Sequence, residues 1–183
     1  SNISLDTLFQ ELNEPGYPAK NAKRYLKTAN DCFDTMYCSG EDIRGIITTK
    51  AWFMDQILSA LWARYQFDST QYALIAVGGY GRSELQPHSD IDLLILAQSD
   101  IPREVGESLS SFITLLWDLA LDIGHSVRTI DECIEQAKLD VTIATNLLET
   151  RTISGDEELR AQLTQRIYSD EAYTSREYFM AKF

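Results

Sequence analysis

A chain of 183 residues with 44% hydrophobic and 24% charged positions has the composition of a folded globular domain, which excludes disorder and fibrous repeats. Its 28 acidic against 16 basic residues set the formal charge at −12. That balance argues against a grip on nucleic-acid polymers, which needs Lys and Arg to neutralise phosphates, but leaves open a nucleotide held through a metal ion.

No apolar run approaches the ~18 to 20 residues of a membrane span. No basic leader followed by an apolar stretch opens the chain. A cytoplasmic protein without a membrane partner is therefore expected. Cys32, Cys38 and Cys133 lack CxxC spacing, and His88 and His125 are the only histidines, so the cysteines read as reduced thiols rather than zinc ligands. The start at Ser1-Asn2 and the amphipathic stretch Tyr178–Phe183, which has no terminator, both read as cuts in a longer chain.

After the turn signals Pro15-Gly16 and Pro18, apolar residues Ala22, Tyr25, Leu26, Ala29, Cys32, Phe33, Met36 and Tyr37 recur at helical spacing from about Lys20 to Cys38. Ser39-Gly40 ends that helix. A second helix is expected from about Glu41 to Tyr65, burying Ile43, Ile46, Ile47, Ala51, Met54, Ile57, Leu58, Leu61 and Trp62.

The period then changes. Tyr72–Val77 reads as a strand stopped by Gly78-Gly79, and Ile91–Leu96 as a second strand whose continuously apolar end suits cover on both faces. Asp100 and Pro102 open a helix expected to run to about Asp122, with Gly124 as its stop. His125–Ile130 alternates as a strand, Asp131 caps a short helix, and Asp140–Leu148 makes another. Thr150–Ser154 is a last strand, and Asp156–Tyr168 a closing helix. Helices around a small sheet make an α+β or α/β domain.

One segment carries chemistry: Val77 to Leu93, which joins a strand, a glycine-dense turn, a polar loop and a strand opening Asp90-Ile91-Asp92. Gly78, Gly79 and Gly81 let backbone N–H groups approach a ligand closely, as a phosphate cradle requires. Taken alone, such glycines equally describe a tight turn without a ligand. Asp90 and Asp92 alternate past Ile91, so they share one face with roots roughly 6.6 Å apart, suited to a hard divalent cation. Eleven residues separate Gly79 from Asp90. That arm allows the turn to hold a triphosphate while the carboxylates hold the metal bridging it, and phosphoryl transfer depends on such positioning and charge neutralisation.

Gly78-Gly79, a spacer and Asp90-Ile91-Asp92 resemble the signature of the DNA polymerase beta nucleotidyltransferase superfamily. The longer run Gly78-Gly79-Tyr80-Gly81-Arg82-x-Glu84-Leu85-x-Pro87-x-Ser89-Asp90-Ile91-Asp92-Leu93 is similar to the bacterial PII uridylyltransferase/uridylyl-removing enzyme family. So are the blocks Gly124–Thr129 and Ala144–Glu149, and Arg151. The resemblance spans about Leu26 to Lys182 and is strongest from Ala76 to Leu96.

It implies an α+β fold, a small mixed sheet flanked by helices, with residues 1–70 as a helical lead-in and 71–183 as the nucleotidyltransferase domain. The family's hydrolytic and small-ligand-sensing domains do not fit in this length. The implied activity is transfer of UMP from UTP to a tyrosine of the PII nitrogen-regulatory protein. Asp90 and Asp92 match the ligands of Mg²⁺ or Mn²⁺, and Gly78 and Gly79 match the phosphate turn. Arg82, Ser83 and Ser89 are either phosphate or metal-shell contacts or structural caps. The third carboxylate usual in the superfamily is missing from His125–Ile130, which leaves Asp122, Asp131, Asp140 and Glu149 open. His125 either meets nucleotide or substrate or is structural. The alternatives are another protein or small-molecule acceptor, or a non-catalytic nucleotide-binding regulatory module.

Overall fold

The computed structural model describes residues 5–85 and 91–169. Three helices lead: α1 (Leu5–Leu12), α2 (Ala19–Cys38) and α3 (Ile43–Ala63). The first was not expected, because two turns give little periodicity to read. Leu8 and Leu12, four residues apart and so on one face, are its fully buried anchors.

In α2 the stripe Ala22, Tyr25, Leu26, Ala29 and Phe33 is buried as its spacing predicts, but Cys32 and Met36 face solvent. The end of α2 runs beyond the main core and meets only a small cluster in which Ala29 and Phe33 pack with Ile46. Asp42 caps α3 by accepting a hydrogen bond from the Arg44 N–H. The expected buried face of α3 is present except for Ile43, which is 59% exposed in the first turn ahead of that core.

The sheet contains β1 (Tyr72–Val77), β2 (Ile91–Ala97), β3 (Ile123–Thr129) and β4 (Arg151–Ser154), in the order β3-β2-β1-β4. Strand β1 runs antiparallel to β2 and β4, whereas β3 runs parallel to β2. Between β1 and β2 lies a single helical turn, α4 (Gly78–Gly81).

The helices α1 to α3 and α5 (Arg103–Asp118) cover one face of the sheet. The other is covered by α6 (Ile130–Leu139), α7 (Val141–Leu148) and α8 (Glu157–Tyr168). In β2, Ile91, Leu93 and Ile95 enter the first core while Leu94 and Leu96 enter the second. The unbroken apolar run of this strand is thus a consequence of cover on both sides, each fully buried Leu or Ile contributing about 1.5–3 kcal/mol. The fold is α+β, a small mixed sheet flanked by helices, as the resemblance implied.

Two boundaries differ from expectation in ways that matter. Helix α5 stops at Asp118, four residues early, and Ala120 turns the chain at a φ of 55°. The residues so released, beginning at Ile123, pair with β2. Gly124 is therefore not a helix stop but a strand residue opposite Asp92. The cap of α6 is Thr129 rather than Asp131: Thr129 Oγ1 accepts from the Glu132 N–H, and the Glu132 carboxylate accepts from the Thr129 N–H. This reciprocal pattern satisfies two backbone donors at once. Cys133 is buried in the second core, and burial pushes its thiol up to about 12; Cys32 and Cys38 are exposed.

Candidate active site

Asp92 is the polar exception in β2. It stands exposed on the face of Leu94 and Leu96, with Val77 of β1 as its partner on one side and Gly124 of β3 on the other. Gly78 follows Val77 with a φ of +63°, where a side chain would be strained, and a Cβ there would lie 3.3 Å from Asp92 Oδ2. A Cβ on Gly124 would lie 2.7 Å from Asp92 Oδ1. Two glycines thus keep both flanks of one carboxylate clear, forming a recess whose donor is a hard oxygen pair. Such a donor fits a hard divalent cation. Asp90 and Ser89, expected beside it, lie outside the described residues, as does His88. Among the described residues no group of three His, Cys, Asp or Glu side chains is gathered closely enough to hold a metal.

The glycine turn adjoins this recess. In the single turn α4, capped by Val77, the N–H groups of the first residues, Gly78 to Tyr80, have no helical acceptor, while the Arg82 N–H closes the turn onto the Gly78 carbonyl at 3.1 Å. Close packing dictates glycine at 81. A Cβ there would overlap the Glu149 carbonyl oxygen and lie 2.9 Å from that of Ala76. Both obstacles are backbone and cannot swing aside. Gly81→Ala is expected to lower stability by about 1–3 kcal/mol, the usual cost of overpacking a filled site. Urea denaturation measures it, and an unchanged midpoint would show that the two carbonyls can part.

Two further predicted residues behave differently from Gly78. The Arg82 guanidinium is engaged by carboxylates, with Nη1 2.6 Å from Glu149 and Nε 3.5 Å from Glu84. Ser83 sits in the left-handed region, φ 59°, and its N–H donates to the Tyr80 carbonyl at 3.0 Å.

A second layer holds the turn in place. Tyr80, 1% exposed, donates its hydroxyl proton to Asp55 of α3. Arg151 of β4 pairs with the same carboxylate and donates from Nη2 to the Tyr80 carbonyl at 2.7 Å. Its guanidinium also lies 5.1 Å from the Tyr80 ring centroid. Burial raises the pKa of Asp55 above the ordinary carboxylate value, opposed by these hydrogen bonds and by the Arg151 charge. Burial together with the Asp55 charge raises that of the Tyr80 hydroxyl. Sequence reading found Arg151 only as part of a resembling block and missed Asp55 entirely. A carboxylate on an otherwise apolar helix face was the one available signal.

The four acids left open for a third carboxylate separate in space. Asp131 pairs with Arg166 at 2.5 Å, Asp140 caps α7 by accepting from the Thr142 N–H at 2.8 Å, and Glu149 is engaged by Arg82. Asp122 alone adjoins the start of β2, where its carbonyl accepts from the Ile91 N–H at 2.9 Å. His125 and Arg128 fall on opposite faces of β3. His125 packs edge-on against Trp117 of α5, ring centroids 5.7 Å apart, away from the face that carries Asp92. Arg128 is on the face of Asp92.

The chain also has relatives among known proteins. Residues 54–159 match the model of the nucleotidyltransferase domain family. The match begins within α3, one residue before Asp55, and includes α4, β2 and Arg151. The chain is 43% identical over 173 residues to a bifunctional uridylyltransferase/uridylyl-removing enzyme of Pseudomonas syringae pv. tomato. It is 44% identical over the same length to that of Pseudomonas fluorescens. Each match covers 94% of this chain and 19% of the relative, so the chain spans about a fifth of the length of these curated proteins. With more than half of its residues in that family match, the chain belongs to the nucleotidyltransferase domain family.

Proposed function

We propose that this chain catalyses transfer of UMP from UTP to a protein hydroxyl, with a tyrosine of the PII signal protein as acceptor. The observation that carries the reading is the recess at Asp92, a carboxylate flanked by two glycines beside the N-terminal end of a single helical turn. The names of the relatives support uridylyl as the group transferred.

Asp92, with Asp90 two positions before it in the sequence, would hold Mg²⁺ or Mn²⁺. When bound, the metal supplies charge neutralisation on the triphosphate and lowers the pKa of an acceptor hydroxyl. Gly78 and Gly79 keep the turn's backbone open to phosphate oxygens, and its N–H groups donate to them. Ser83 and Ser89 add hydroxyl donors, and Arg82 supplies a cation near the phosphates while Glu149 and Glu84 set its direction. Asp122 is the acid best placed to complete the carboxylate set. In the reaction the acceptor oxygen forms a bond to the α-phosphorus, the α–β anhydride bond breaks, pyrophosphate leaves and the hydroxyl proton is released. Residues 1–70 serve as a helical lead-in packed on the nucleotidyltransferase domain of residues 71–183, within a multidomain cytoplasmic enzyme.

The test is incubation with α-labelled UTP, Mg²⁺ and PII protein, followed by mass spectrometry of the acceptor. A mass increase of one UMP on a tyrosine, with equimolar pyrophosphate, is the expected result. Nucleotide binding without pyrophosphate release would overturn it in favour of a regulatory module, and labelling of another acceptor would overturn the choice of PII.

A further inference from the structure

The two edges of the sheet differ. On one side β4 ends it with four residues, and the pairing of β4 with β1 slips between Leu74 and Ile75. A short, irregular edge of that kind resists pairing with another chain. On the other side β3 ends it with seven residues in unbroken register with β2. This strand holds no Pro, Lys or acidic residue to blunt it. Among the described residues no strand pairs with its outer side.

The open edge borders the candidate active site. Gly124 of β3 is the partner of Asp92, and the Asp92 carboxylate leans over Gly124 so far that a Cβ there would lie 2.7 Å from Oδ1. Ser126, the next residue of β3 on this face, is also small. No side chain at position 124 therefore stands between Asp92 and a strand added outside β3. On the opposite face the edge borders a groove of about 480 Å³ between β3 and α5, whose lining includes Ile113, Trp117, His125 and Val127. Trp117 and Val127 are 57% and 36% exposed, an apolar surface at the very edge that is open to pairing.

We propose that the outer edge of β3 docks the acceptor polypeptide, as an added strand whose tyrosine reaches across Gly124 to Asp92. The proposal rests on the uridylyl-transfer reading and names the surface that presents the acceptor. A row of main-chain N–H and C=O groups is met by the backbone of an extended peptide, and pockets for its alternate side chains give specificity. With the tyrosine on the face of Asp92, its two neighbours fall on the face of α5, where an apolar residue fills the groove at Val127 and Trp117. The backbone of the added strand lies two strand spacings, roughly 9.6 Å, from that of β2. A serine or threonine hydroxyl sits one atom beyond Cβ and stays above its own strand. Tyrosine carries its hydroxyl beyond a ring, and an aromatic ring packs well against a glycine on the neighbouring strand. The tyrosine oxygen then bonds to the α-phosphorus, pyrophosphate leaves and the hydroxyl proton is released.

The test is amide hydrogen exchange of the protein with Mg²⁺ and a UTP analogue whose α–β bridging oxygen is a methylene group, with and without PII protein. Amides of residues 123–129 on the outer side of β3 are expected to exchange about tenfold more slowly, or slower still, only when PII is present. Trp117→Ala and Val127→Asp change exposed residues outside the Asp92 recess. Each is expected to raise KM for PII about tenfold, with kcat, KM for UTP and the urea midpoint unchanged.

If UMP transfer to PII proceeds while the β3 amides exchange equally fast with and without PII, the docking edge is overturned and the uridylyl-transfer reading stands. An unchanged KM for PII in both variants does the same, as does a KM for UTP that rises in parallel with it. Protection of β3 in the protein alone that grows with its concentration assigns the edge to a second copy, and this too overturns the proposal. If no UMP reaches PII, both readings fail together.

Discussion

Asp92→Asn is expected to reduce uridylyl transfer by about 10²–10³-fold or more, the scale on which enzymes lose rate when one preorganised electrostatic group is removed. The substitution keeps the shape of the side chain and exchanges one carboxylate oxygen for an amide nitrogen, which carries no charge and cannot ligate a hard cation. Asp92 is exposed at the start of β2, and Asn occupies the same space between its two glycine flanks. An isosteric change at an exposed site should alter folding stability little. Initial rates of pyrophosphate release at saturating UTP and Mg²⁺, beside an unchanged urea midpoint, are the measurement. A variant that retains near wild-type turnover would remove Asp92 from the chemistry.

Arg151→Ala is the largest expected effect on stability, a loss of about 3–5 kcal/mol, because deleting one partner of a buried ion pair strands the other charge. The side chains of Arg151 and Asp55 are 25% and 18% exposed, so solvent screens the pair weakly. The guanidinium also bonds the Tyr80 carbonyl, so its removal loosens the glycine turn as well as the pair.

The deficit should depend on pH. Burial already raises the pKa of Asp55 in the folded protein above its ordinary value, and removing Arg151 removes a cation that lowers it. A carboxyl with a raised folded pKa binds more protons when folded than when unfolded between the two pKa values. Stability therefore falls as pH rises through that window. Arg151→Ala should be least impaired below the ordinary carboxylate pKa and most impaired above the raised one. Urea denaturation across the acid range checks both the size and the sign. A deficit that grows on acidification would mean that Asp55 is not the group left uncompensated.

Much of the candidate site was legible because its signals are local. The turn Gly78–Gly81 and the strand opening at Asp92 lie within one short stretch, and glycine freedom and strand alternation act over a few residues. The continuously apolar end of β2 announced two covered faces before either cover was known. The missed α1 and the misplaced start of α6 were errors of local reading. Thr129 and Glu132 spell a capping box, but Asp131 between them drew the assignment.

Gly124 shows a different kind of limit. As punctuation after a helical stripe it read as a stop. In the fold the parallel pairing of β3 with β2 sets it opposite Asp92, where the absence of a side chain makes room for the carboxylate. A glycine inside a strand often marks such a close approach, but only the pairing tells which strand it sits in and what it faces.

What the sequence by itself determined, then, was the class of fold, the glycine turn with its acidic strand, and the family that this combination resembles. These follow from periodicity and backbone freedom, which are properties of neighbouring residues. What only the tertiary structure decided was the company each residue keeps. Asp55 and Arg151 are 96 positions apart and meet at Tyr80; Arg82 turns to Glu149; Asp122 adjoins β2 while Asp131 does not; and Trp117 and Val127 line one groove. Contacts of that range depend on strand order and register, and burial of both sheet faces selects these for the chain as a whole.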